Sequence, residues 1–374
     1  MKILHTEASC GWGGQEIRIL TEAAGMIARG HTVEIACPAE SRIFAEAPRY
    51  GVPVHALPIG RKSLTGLRAL RTFLRTHRYD VINSHSSTDT WLAALAAVGR
   101  AAPAAAGPAA PPLVRTRHIS APVPDNSATR WLYSRASAHV VTTGEALREQ
   151  LIRDNGLAAA QVTSIPTGID PAQFPATDAA LRRGRRAELG LPATVPIVGI
   201  VATLRSWKGH RYLIDALATM PDAGTQLVIV GDGPQRAALE AQVGNLGMQE
   251  RVLFAGNRID VAPWLQSFDV FALPSYANEG VPQALLQAMF TGLAAVTTCA
   301  GAIPEIAING ETALVVPREN VGTLSAALQR LLGDPALAAQ LGRAARELVS
   351  ARHSLSTMLE RMEAVFARVA GEPS

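Results

Sequence analysis

The segment "YANEGVPQALLQAM", residues 276–289, sets a carboxylate, Glu279, directly before Gly280, Val281 and Pro282 and then a helix-forming run. Pro282 suits the first helical position, where its missing N–H costs nothing, and Gly280 lets the backbone approach a ligand closely. Helix N-termini attract anions, so Glu279 either caps this helix or works beside a bound anion. A second segment, "ATLRSWKGH" (202–210), carries Arg205 and Lys208 next to Gly209. Only Lys2, Lys62 and Lys208 are lysines among 35 basic residues. One of them kept beside Arg205 points to a compact ammonium and a bidentate guanidinium for phosphate; an accidental placement is the alternative. In "CGWGGQE" (10–16), Gly13 and Gly14 either bring backbone amides to phosphate or make a plain tight turn. "VGDGP" (230–234) reads as a glycine-rich turn with the same two options. His118, at the end of "RTRH", suits a sugar or proton ligand as well as a structural place. No two aspartates lie two residues apart. No Asp-x-Asp metal site is therefore expected, and protein groups have to neutralise any bound diphosphate.

Such residues need loops behind strands to hold them. Strand patterns occur at "KILHT", "TVEIAC", "YDVINSH", "LVRTRH" and "AHVVTTG" in the first half. In the second they occur at "PIVGIVATL", "QLVIVGDG", "RVLFAG", "VFALPS", "AAVTT" and "ALVVP". Helical runs separate most of them. Strands without in/out alternation, interleaved with helices, imply parallel sheets covered on both faces. With 374 residues, two such sets predict two doubly wound α/β domains. The seam is expected around 172–192, giving domains 1–175 and 176–354. Ligands of such sheets bind beyond the carboxyl ends of the strands, which places the chemistry in a cleft between the domains. "AAPAAAGPAAPP" (101–112) reads as an exposed low-complexity connector.

Charge is uneven. Residues 1–175 hold 18 Lys+Arg against 13 Asp+Glu, and 176–374 hold 17 against 18, so the net +4 comes from the first half. Much of the excess lies in 61–78, "RKSLTGLRALRTFLRTHR", where Leu64, Leu67, Leu70 and Leu74 mark one helical face and Arg68, Arg71, Arg75 and Arg78 lie between them. This is either a packed amphipathic helix with a solvated basic face or a helix that meets an anionic membrane surface. Nucleic acid is not an expected partner. Cys10, Cys37 and Cys299 are too few and too scattered for a disulfide framework or a zinc site. The opening residues turn polar after four positions, unlike a signal peptide, and no apolar run is long enough to span a bilayer. The expected location is the cytoplasm, with a peripheral place on the inner membrane face as the option the basic helix opens.

Taken in order, "ATLRSWKGH", "VIVGDGP", "FAG", "DVFALPS", "NEGVPQALLQAMFTGLAAVTT", "GAIPEI" and "NGETALVVP" resemble the carboxyl-terminal half of the family-four (group 1) retaining glycosyltransferases. "IPTGID" (165–170) and "RTRH" resemble their amino-terminal half. The likeness covers nearly the whole chain and is nearest to bacterial lipopolysaccharide and surface-polysaccharide enzymes. It implies the GT-B fold, two Rossmann-like domains facing a central cleft, with a last helix at 355–374 crossing back to the first domain. It also implies metal-independent transfer of a hexose-type sugar from a nucleotide sugar, with no cofactor beyond that substrate. The expected donor is a UDP- or GDP-sugar and the expected acceptor lipid-linked or a saccharide. By the same likeness Glu279 is the first acid of the Glu-x7-Glu motif, near the donor sugar. Gly280 and Val281 offer amides to donor oxygens, Lys208 meets the diphosphate, and Gly14, next to Gly13 in the same loop, faces it from the other domain. His118 lies near the donor sugar and acceptor, and Asn257 and Arg258 near the base. Three positions depart from the pattern. Gln287 stands for the second acid, Thr203 for the usual arginine five before the lysine (with Arg205 as its substitute), and Gly301-Ala302 for a Gly-Gly pair. Two other readings share the fold, a nucleotide-sugar 2-epimerase-like isomerase and a non-catalytic nucleotide-sugar-binding protein.

Overall fold

The computed structural model describes residues 1–97, 110–119, 121, 123–222 and 224–371. Most of the expected Ala/Pro connector, residues 101–109, lies outside the described residues. The chain divides into two compact units, Met1–Gly168 with Leu355–Ser374, and Ile169–Ser354. The division falls after Gly168, whereas the sequence reading sets it after residue 175.

The first unit is built on strands β1 (Lys2–Thr6), β2 (Thr32–Cys37), β3 (Val54–Ala56), β4 (Val81–Ser84), β5 (Leu113–Arg117), β6 (His139–Thr142) and β7 (Val162–Ser164). Their order across the sheet is β3-β2-β1-β4-β5-β6-β7, and every pairing is parallel. Helices cover both faces, so successive strand residues are buried on opposite sides. Ile3 joins a core with Ile19, Met26 and Phe366, and Leu4 joins another with Leu70, Ile82 and Leu92. That two-sided burial removes the in/out alternation from the sequence. The last helix, Leu355–Ala370, packs Met358, Met362 and Phe366 into the first of these cores.

The second unit carries β8 (Ile197–Val201), β9 (Gln226–Val230), β10 (Val252–Gly256), β11 (Val270–Leu273), β12 (Ala295–Thr298) and β13 (Leu314–Val316). Their order is β10-β9-β8-β11-β12-β13, again all parallel. The order in each sheet reverses beside the first strand of the set, the switch point where doubly wound folds bind ligands. Here that point lies between β8 and β11.

The basic segment forms the helix Leu64–Thr76, started by Ser63, whose hydroxyl accepts the Gly66 N–H at 3.0 Å. Leu70 and Leu74 are buried and Leu67 partly so, but Leu64 is 70 % exposed and belongs to the outer surface. Arg61, Arg68, Arg75 and Arg78 are exposed, while Arg71 is half-buried and donates to the Leu95 carbonyl at 2.8 Å.

Candidate active site

In the second unit the loops after three adjacent strands hold the candidate residues. The loop after β8 carries Arg205 and Lys208, the loop after β11 carries Glu279, Gly280 and Val281, and the loop after β12 carries Gly301. Lys208 Nζ donates to both carboxylate oxygens of Glu279, at 2.7 and 2.9 Å. Glu279 is 4 % exposed, so this is a shielded, charge-assisted contact. Glu279 is therefore not a helix cap. The helix Gln283–Phe290 begins one residue after Pro282, which serves as its N-cap in extended geometry, and no side chain caps it. The sequence reading placed Pro282 inside the first turn; the residue stays outside it, at ψ 123°. The first amides of this helix are left for another acceptor.

Glycine makes the two loop contacts possible. Gly209, at φ +76°, lies where a Cβ would sit 2.0 Å from the Pro274 carbonyl oxygen, and Gly301, at φ +55°, where it would sit 2.0 Å from that of Glu279. Only a residue without a Cβ takes both the conformation and the approach. The Ala302 N–H then donates to the Glu279 carbonyl at 3.1 Å, and the Tyr276 N–H to that of Trp207 at 2.9 Å. The loops behind β8, β11 and β12 are thus tied backbone to backbone, which fixes Glu279 against Lys208.

Other expected residues fall differently. Arg205 is exposed, with its guanidinium 5.8 Å from the Trp207 ring, and it does not share the Lys208–Glu279 contact. Gln287 is 8 % exposed in the second turn of the Gln283–Phe290 helix, and no hydrogen bond of its amide group is seen among the described residues. Asn257 and Arg258 are exposed behind the edge strand β10, two strands from β8, with Arg258 donating to Ala255 and lying over Trp264.

In the first unit the carboxyl ends of β1, β4 and β5 hold a second group. Gly13, in extended geometry, precedes the helix Gly14–Ala28, which Gly14 opens without a side-chain cap. The loop before it folds over Glu7, a residue the sequence reading passed over. Glu7 accepts the Ser9 N–H at 2.7 Å and the Gln15 amide. Burial, with Asp89 and Glu16 nearby, pushes its carboxyl up to about 8. Asp89 accepts from Thr6 at 2.8 Å and from the His85 and Ser86 N–H groups at 2.9 Å each. His118 follows β5 and meets His85, which follows β4. A carboxylate placed directly after the first strand was the available signal for Glu7. His85 and Asp89 needed the β1–β4–β5 neighbourhood, which no local pattern reveals.

Two parallel, doubly wound units, with polar residues gathered at the carboxyl ends of their strands, define a GT-B architecture. Relatives place the chain within it. The profile "Glycosyl transferases group 1" matches residues 195–334, and "Glycosyltransferase Family 4" matches 12–173. The 2-deoxystreptamine glucosyltransferase of Streptomyces kanamyceticus is 28 % identical over 64 % of this chain and 63 % of its own length, so the match spans less than two thirds of that relative. The lipopolysaccharide core biosynthesis mannosyltransferase LpcC of Rhizobium leguminosarum bv. viciae is 29 % identical over 65 % of this chain and 68 % of its own. Among solved structures, Anabaena Alr3699/HepE in complex with UDP-glucose superimposes with a TM-score of 0.86 at 24 % identity, covering 98 % of this chain and 100 % of that one. The chain belongs to the group 1, family-four glycosyltransferases.

Proposed function

We propose that this glycosyltransferase is a retaining, metal-independent enzyme that moves a hexose-type sugar from a nucleotide sugar, a UDP- or GDP-sugar, to a lipid-linked or saccharide acceptor. The observation that carries the reading is the Lys208–Glu279 pair at the β8/β11 switch point, beside an uncapped helix N-terminus. A diphosphate there meets the Lys208 ammonium and the amides of Gly280, Val281 and the first helical turn, which supply the neutralisation a metal otherwise gives. Glu279 sits beside the sugar as an acceptor for its hydroxyls. In the same-face mechanism, the bond from the sugar's anomeric carbon to phosphate oxygen breaks as the acceptor oxygen bonds to that carbon. The acceptor proton goes to the departing phosphate. Positioning and charge stabilisation then do the work. His118, Gly13 and Gly14 are assigned to the same chemistry from the first unit. The name of one relative, a lipopolysaccharide core biosynthesis mannosyltransferase, favours a saccharide-bearing acceptor.

A thermal-shift panel of UDP-, GDP- and ADP-sugars tests the reading, because a bound donor stabilises the folded state in proportion to its affinity. Stabilisation by one donor, followed by transfer to an acceptor, is the expected result. Epimer formed without any acceptor would convert the reading to an isomerase, and binding without transfer or slow donor hydrolysis would leave only a binding protein.

Gln287 is assigned to the donor ribose. A neutral amide in place of a carboxylate keeps one acceptor and loses the charge assistance, a difference of roughly 1 kcal/mol. Gln287→Ala is expected to raise the donor KM several-fold with kcat nearly unchanged. An unaltered KM in the folded variant would remove the ribose assignment.

The exposed Arg68 and Arg75, beside the 70 % exposed Leu64, suit an anionic membrane surface, where each basic residue contributes about 1 kcal/mol at most. Replacing Arg68, Arg71 and Arg75 by Gln is expected to lower co-sedimentation with phosphatidylglycerol vesicles. Equal sedimentation of variant and parent would return the helix to a solvated surface role. Among the described residues, no helix is long and apolar enough to cross a membrane.

A further inference from the structure

Three imidazoles stand in line in the first unit. His5 Nδ1 lies 2.8 Å from His85 Nε2, and His85 Nδ1 lies 2.9 Å from His118 Nε2. His5 and His85 are buried and His118 is partly exposed. The rings do not converge on a common point, and among the described residues no group of His, Cys, Asp or Glu could hold a metal ion. A neutral imidazole has one N–H and one lone pair. Both contacts are hydrogen bonds only if all three rings carry the proton on the same nitrogen, all on Nδ1 or all on Nε2.

The inner end selects between the two. His5 Nε2 is buried without a hydrogen-bond partner. With protons on Nε2 it is a buried N–H with nothing to donate to; with protons on Nδ1 it is a bare lone pair. The charge of the fully buried Arg18 guanidinium acts on this ring and opposes positive charge there. The His5 ring meets Phe366 edge-on at 6.4 Å, and Arg18 reaches Met362, one turn earlier on the same helix, at 3.9 Å. Arg18 Nε lies 3.5 Å from Glu22 Oε2, an ion pair and not a close hydrogen bond. The field of that cation favours a lone pair on His5 Nε2 over the positive end of an N–H there. Among the described residues, no carboxylate oxygen makes a hydrogen bond with His5 Nε2. Glu22 is held by Arg18 at 3.5 Å and by Asn83 at 3.2 Å, and Asp89 takes the backbone N–H of His85.

We infer that His5 and His85 are positioning residues that hold His118 as the Nδ1–H tautomer, so that His118 meets a sugar or acceptor oxygen as a hydrogen-bond donor and not as the base. The inference rests on the placing of His118 at the reacting sugar. His118 Nδ1 has no protein partner among the described residues, and in this tautomer it points a proton outward. To accept a proton there, the line would have to pass its own protons inward to His5 Nε2, against the field of the Arg18 cation. Burial, with the charges of Arg18 and Arg115, also keeps the His118 ring neutral, well below its ordinary range. The acceptor proton is thereby left to the departing phosphate.

Long-range proton–nitrogen NMR of the whole protein, labelled with nitrogen-15 in its histidines, reads each tautomer directly. His5, His85 and His118 are expected to show protonated Nδ1 and bare Nε2. A protonated Nε2 on His118, or a charged ring at neutral pH, would overturn the inference. In the folded His5→Leu variant, which removes the inner donor, His118 is expected to populate both tautomers and kcat to fall about tenfold with little change in donor KM. His5→Asn, which returns an N–H near the place of Nδ1, restores the tautomer and most of the rate. Unchanged His118 tautomer and kcat in His5→Leu would also overturn it. Absence of transfer by the unaltered protein with every donor would count against the proposed function instead, while the tautomer spectrum of that protein still decides the present point.

Discussion

Lys208→Ala is expected to lower kcat/KM for transfer by about 10²-fold, equivalent to about 2.7 kcal/mol of transition-state stabilisation. The size follows from the geometry around Glu279. Lys208 is the cation in contact with that buried carboxylate, at 2.7 and 2.9 Å. On the proposed reading, its loss removes the ammonium that faces the departing diphosphate. It also leaves a carboxylate with 4 % exposure uncompensated where negative charge develops. The second consequence makes the effect non-additive. In a double-mutant cycle, Glu279→Gln on the Lys208→Ala background should cost less than Glu279→Gln alone, which mainly lowers kcat. Arg205→Ala is expected to cost less than Lys208→Ala, because Arg205 is exposed over Trp207 and outside the pair. Steady-state kinetics with the donor found in the thermal-shift panel measures all four. Loss of activity in EDTA, restored by Mg²⁺, together with full activity in Lys208→Ala, would transfer the phosphate chemistry from protein to metal.

How far the sequence carried this site depends on what each residue needed. Glu279, Lys208 and the glycines around them lie in loops whose local sequence is distinctive, because the backbone must turn and approach there, and glycine and proline record that demand. The pairing of Lys208 with Glu279 was not legible. It depends on β8 and β11 being neighbours, a fact of sheet order that spans some seventy positions, as the 71-residue separation of the pair shows. Helix position was legible only to within a residue. Pro282 fits both the N-cap and the first turn, and the backbone ψ of 123° decides for the former. β3 and β7 escaped notice because each is three residues long and mixes polar with apolar residues (VHA and VTS), whereas the equally short β13 shows as the apolar run LVV. The histidine line was invisible for a further reason. The three come from the ends of three strands; His118 stood out alone, but His5 and His85 each read as an ordinary buried histidine, and nothing local joins them to it.

The same limit hides the residue whose loss should hurt the fold most. Arg18 lies in the first helix and reads as one more surface arginine, yet it is fully buried, as is Glu22 one turn on. Its Nη1 donates to the Ile165 carbonyl at 2.7 Å, and its Nη2 contacts Met362 of the last helix at 3.9 Å. Arg18 thus ties the start of the chain both to the segment just before the division at Gly168 and to the returning helix. Arg18→Met is expected to destabilise the first unit by about 3–5 kcal/mol, because it strands the Glu22 carboxylate in the core and leaves the Ile165 carbonyl without its donor. The cause is separable from lost packing. Arg18→Met/Glu22→Met removes both charges, strands neither, and keeps the volume filled, so most of the stability should return. Urea unfolding followed by Trp12 and Trp91 fluorescence, with the other three tryptophans replaced by Phe in all variants, reports on this unit alone. Equal midpoints for the single and double variants would show that Arg18 matters through its packing and its tie to Ile165. A double variant clearly more stable than the single one would place the cost on the unpaired charge, as the buried geometry requires.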